Sequence, residues 1–73
     1  MKNKTMLVDT LISNGLEDEG FLYNRLYEYA QTFGIGESVD EMVEMSMEDT
    51  NYLQNKMERL VDTNYTQLAA SYL

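Results

Sequence analysis

Seventy-three residues with thirteen acidic and five basic side chains give a formal net charge of −8 and a pI near 4.1. A chain this short forms one domain, whose single core rarely supplies more than about 3–5 kcal/mol without disulfides, a metal or a partner chain. Cysteine and histidine are both absent, which excludes disulfides and thiolate metal sites and removes the commonest zinc ligand and the commonest general base near neutral pH; oligomerisation is left as the expected support.

The chain contains no proline and no period-two alternation of β-branched residues, so its pattern is helical throughout. The opening MKNKTMLVDTLISNG has a basic front, but Asp9, Thr10, Ser13 and Asn14 interrupt its apolar run, which makes it too polar for a signal peptide. Leu7, Val8, Leu11 and Ile12 instead form a short apolar face, and Asn14-Gly15 suits a helix stop. The predicted first helix therefore spans about 5–14.

A second helix, about 18–33, has the clearest pattern. Leu22, Leu26, Tyr29, Ala30 and Phe33 follow the i, i+4, i+7, i+8, i+11 spacing of one buried face. Glu17, Asp18 and Glu19 sit near its start, where the helix dipole favours negative charge. Gly34 offers a left-handed C′ residue, and Ile35 can fold back on the last turn in a Schellman motif.

Ser38-Val39-Asp40-Glu41 matches a capping box, and Ser46-Met47-Glu48-Asp49 repeats it with Asp for Glu. These two signals predict a short third helix over about 39–45, with Val39, Met42 and Val43 turned inward, and a break near Ser46. The last helix, about 47–71, carries Leu53, Met57, Leu60, Val61, Leu68 and Tyr72 along one stripe that Asn64 interrupts. At 1.5 Å per residue it would be about 37 Å long, more than three shorter helices comfortably cover. The stripe is thus the expected self-association surface, and the fold expected is an all-α bundle of three to four helices with a long C-terminal helix, forming a homodimer. DTNYLQ at 49–54 is echoed by DTNYTQ at 62–67, but a solenoid repeat needs a period of about 20–50 residues, and chance is the better explanation.

Function must then come from something other than catalysis. Without histidine or cysteine, a nucleophilic site would need Ser or Thr with a Lys or carboxylate base, and no spacing suggests one; paired carboxylates have no deep cleft to shift their pKa in so small a chain. Neither residues 37–49 nor EDEG at 17–20 matches the ligand spacing of an EF-hand loop. The expectation is a protein with no catalytic residues, no cofactor and no metal.

Charge is the strongest remaining signal. Residues 36–49 hold six carboxylates and no base, and Glu37, Asp40, Glu41, Glu44 and Glu48 recur at steps of three and four, which makes one acidic stripe on a helix. Acidity of this degree opposes direct binding to nucleic acid or to anionic lipid. The stripe is either a solvated face or a docking surface for a partner protein with a basic surface, spaced to imitate a phosphate backbone. Tyr23 and Tyr27 lie beside the buried stripe of the second helix, placed to be binding anchors or the core's wetted edge. Met42, Met45, Met47 and Met57 offer either core filling or an adaptable surface.

Small size, strong acidity and absent catalytic groups resemble the general character of the small inhibitors that phages and mobile elements encode against host nucleic-acid enzymes; no motif identifies a family. The resemblance implies a non-enzymatic, cytoplasmic interaction module that occupies a basic, nucleic-acid-binding surface of another protein. The alternative is a self-associating structural or regulatory module whose acidic face confers solubility. Absence of cysteine fits a reducing cytoplasm, and no run of eighteen apolar residues provides a membrane span.

Overall fold

The computed structural model describes residues 2–73, with side chains from Asn3 onward. The described residues form four helices: α1 (Lys2–Glu17), α2 (Glu19–Phe33), α3 (Val39–Glu48) and α4 (Thr50–Tyr72). Among the described residues there is no strand, and no helix is long and apolar enough to cross a membrane.

Two aspartates set the sharp corners. Asp18 and Asp49 are single-residue links that end one helix and begin the next. The Asp18 N–H donates to the Asn14 carbonyl while its carboxylate accepts from the Gly20 and Phe21 amides at 3.0 and 3.2 Å. Asp49 does the same with the Met45 carbonyl and the Asn51 amide, at 2.9 Å each. Each side chain satisfies amides that a helix start leaves without partners.

These corners correct three sequence expectations. α1 does not stop at Asn14-Gly15: Gly15 lies within the helix at a close packing contact rather than at a turn, and a Cβ there would meet Leu22 Cδ1 at 3.1 Å. α3 does not break at Ser46, which is buried and donates its hydroxyl to the Met42 carbonyl at 2.8 Å; the break falls at Asp49, three residues later. Ser38 does occupy the N-cap of α3, but its side chain makes no capping bond, so the capping box does not close. The end of α2 is as the pattern predicts: Gly34 is left-handed at φ 63° and ψ 38°, and the Ile35 amide returns to the Ala30 carbonyl at 2.9 Å.

The core is continuous across all four helices. Leu7 and Leu11 of α1, Leu22, Leu26 and Tyr29 of α2, and Met42 of α3 meet Leu53, Met57, Leu60 and Val61 of α4, each no more than 1% exposed. α4 packs on all three other helices. It does so by bending: Asn64 has φ −121° and ψ 32°, and the preceding Thr63 donates its hydroxyl to the Arg59 carbonyl at 3.1 Å, a side-chain bond that competes with the helical ladder and bends it. The second DTN tripeptide thus falls at the bend, as the first falls at the start of α4.

The bend changes what the helix-four stripe does. Leu53, Met57, Leu60, Val61 and Leu68 are at most 3% exposed within one chain, and Tyr72 is half-buried against that same core. The stripe expected at a dimer seam packs, within one chain, against the other three helices.

Candidate partner-binding face

α3 is held by Met42, Val43 and Ser46, its three buried residues. With this side inward, helical geometry turns Asp40, Glu41, Glu44 and Glu48 outward within an arc of about 100°, and all four are exposed. Glu37 is exposed too, but precedes the helix and stands apart from the others: its charge reaches Tyr52 on α4, whose hydroxyl is pushed above its ordinary range by burial first, then by Glu37 and Tyr29.

A shallow groove runs between α2 and α3. Glu19, Gly20 and Tyr23 line one side, and Asp40, Val43 and Glu44 the other. Three carboxylates and one tyrosine, 40% exposed, therefore surround a nearly buried valine. Of the residues predicted for partner binding, the fold brings Asp40, Glu44 and Tyr23 together. Glu41 and Glu48 extend the same acidic face along the outer flank of α3, whereas Tyr27, half-exposed one turn beyond Tyr23, is outside the groove. Glu19 is the member that sequence reasoning assigns only to the helix dipole; the signal that links it to α3 is tertiary. The methionines divide: Met42 and Met57 fill the core, and Met45 and Met47 are about half-exposed.

The carboxylates of this face have no cation to answer them. Among the described residues, ion pairs reach only Asp62, from Lys4 at 2.7 Å, and Glu28, from Arg25 at 3.2 Å. The remaining described cations sit on aromatic rings. Lys56 lies 4.5 Å from the Tyr52 ring centre, and Arg59 lies 4.5 Å from that of Phe33 while donating to the Tyr29 hydroxyl at 2.9 Å. Such contacts stabilise by about 0.5–2 kcal/mol and hold the cation in place. Among the described residues, no group of three or more carboxylates is arranged to hold a metal ion. The chain matches no protein-family model, no curated protein and no solved structure.

Proposed function

We propose that this chain is a non-enzymatic interaction module that docks the α3 face onto a basic surface of a partner protein and occupies positions that a nucleic-acid backbone would otherwise take. The observation that carries this reading is the segregation of charge: each described cation is engaged within the chain, while Asp40, Glu41, Glu44 and Glu48 stand exposed and unanswered on one rigid helix. Tyr23 beside them supplies the rigid amphipathic ring that binding hot spots favour. From Asp40 to Glu48 the helical rise is about 12 Å, which matches a few consecutive phosphates rather than a long duplex.

The test is affinity capture with tagged wild type and a Glu41→Gln/Glu44→Gln/Glu48→Gln variant, at low and high salt and with added duplex DNA. A single basic protein retained by wild type, lost by the variant, and displaced by both salt and DNA is the expected result. Recovery of the same proteins by both baits overturns the reading.

A further inference from the structure

The bend at Asn64 sets whether α4 can be enclosed by its own chain. Straight, its 23 residues would extend about 34 Å, longer than the 29 Å longest axis of the molecule. Bent at Asn64, residues 65–72 seat two side chains on the body. Leu68 is buried to 3% exposure. Tyr72 meets the Phe21 ring edge-on at 5.5 Å between ring centres and accepts a hydrogen bond from Arg25, whose guanidinium lies 5.2 Å from the centre of Phe21 and 5.8 Å from that of Tyr72.

Apart from the Thr63–Arg59 hydrogen bond, the bend carries a cost. Asn64 leaves helical geometry, and its side-chain Nδ2 is buried with no hydrogen-bond partner. Asp62, Thr63 and Asn64 are all residues of low helix propensity that hydrogen-bond locally instead. Two features of the structure oppose each other: an end segment with a specific seat, and a bend that leaves one buried side-chain nitrogen without a partner.

We infer that Asn64 is the hinge of a helix exchange, in which α4 straightens and delivers residues 65–72 to the Arg25–Phe21 seat of a second copy of the chain. In the exchanged dimer, every contact of Leu68 and Tyr72 re-forms with the partner in place of the same chain. The free-energy difference between the two states therefore resides in the hinge residues and in the entropy of association, which is the condition for domain swapping. This goes beyond the acidic docking face, which lies on α2 and α3, and depends on none of its residues.

The first measurement is light scattering coupled to size exclusion, over a range of concentrations, on wild type, Asn64→Ala and Asn64→Gly. Alanine favours the straight helix and glycine disfavours it. With two hinges per dimer, each near the full Ala–Asn difference in helix propensity, Asn64→Ala lowers the dimer dissociation constant by about tenfold, and Asn64→Gly raises it. The second measurement assigns the geometry without altering the seat: isotope-filtered NOEs between Phe21 and Tyr72 in a mixed-labelled dimer are intermolecular in an exchanged dimer. A folded Asn64→Ala that stays monomeric, or a dimer whose Phe21–Tyr72 NOEs remain within one chain, overturns the inference. Should Asn64→Ala fail to fold, wild type refolded at high concentration takes its place, and must yield a dimer with the intermolecular NOEs; refolding to monomer alone overturns the inference equally.

Discussion

Gly15 is governed by one close neighbour, and Tyr52 by burial. Gly15 is a helical residue whose missing side chain lets α1 approach Leu22. Alanine there gains close to 1 kcal/mol of helix propensity against a contact that displaces Leu22 by a few tenths of an ångström, so the net change is small. Gly15→Val adds branching that Leu22, 1% exposed, has no room to accommodate, and urea denaturation should register a loss of about 1–3 kcal/mol from overpacking. Tyr52 carries a buried hydroxyl oxygen with no hydrogen-bond partner. Its pKa in the fold is raised above 10.0, first by burial, so its contribution to stability is full below pH 10.0 and is lost as pH rises through the folded value. Tyr52→Phe should therefore be neutral or slightly stabilising at neutral pH and should lose less stability above pH 10.0 than wild type, as read by denaturant titration at the two pH values.

Helix by helix, the sequence is most legible where local chemistry and burial agree. α2 satisfies both: its apolar spacing, its acidic start and the left-handed Gly34 all point to one helix, and the predicted bounds of 18–33 differ from the observed Glu19–Phe33 by one residue. Where one local signal serves a tertiary purpose, the reading fails. Gly15 resembles a stop but is a packing residue, and Ser46 resembles an N-cap but is buried in α3 with its hydroxyl on the Met42 carbonyl. The acidic face was legible as a stripe because its spacing is helical; Glu19 was not, because only the packing of α2 on α3 brings it beside Asp40 and Glu44. Glu44 is common to all three like-charge pairs within α3, with Asp40, Glu41 and Glu48. At about 0.2–0.5 kcal/mol per pair, Glu44→Gln should stabilise the free protein by about 1 kcal/mol at low salt, measured by thermal melting, and should weaken partner capture. In α4, by contrast, Leu60→Ala removes a fully buried side chain at a cost of about 2–5 kcal/mol. That approaches everything a core of this size supplies, so circular dichroism should find the variant largely unfolded.

Over the whole molecule, on the proposed docking, the same charge distribution acts on folding and on association with opposite signs. A net charge of −8 that is concentrated on one face repels itself in the folded state, and salt relieves that repulsion because the Debye length shrinks to about 8–10 Å at physiological ionic strength. Salt also screens the attraction of the face for a basic partner and removes the steering that speeds encounter. Raising salt should therefore raise the melting temperature of the free chain while lowering both affinity and association rate for the partner. Glu41→Gln/Glu44→Gln/Glu48→Gln should flatten both trends. A solvated face produces only the first: the melting temperature would still rise with salt, but partner association, followed by stopped flow over the same salt series, would be unchanged. Divergence of the two slopes thus distinguishes a docking surface from a wet one, using the free energy that α3 gives up to hold its carboxylates together.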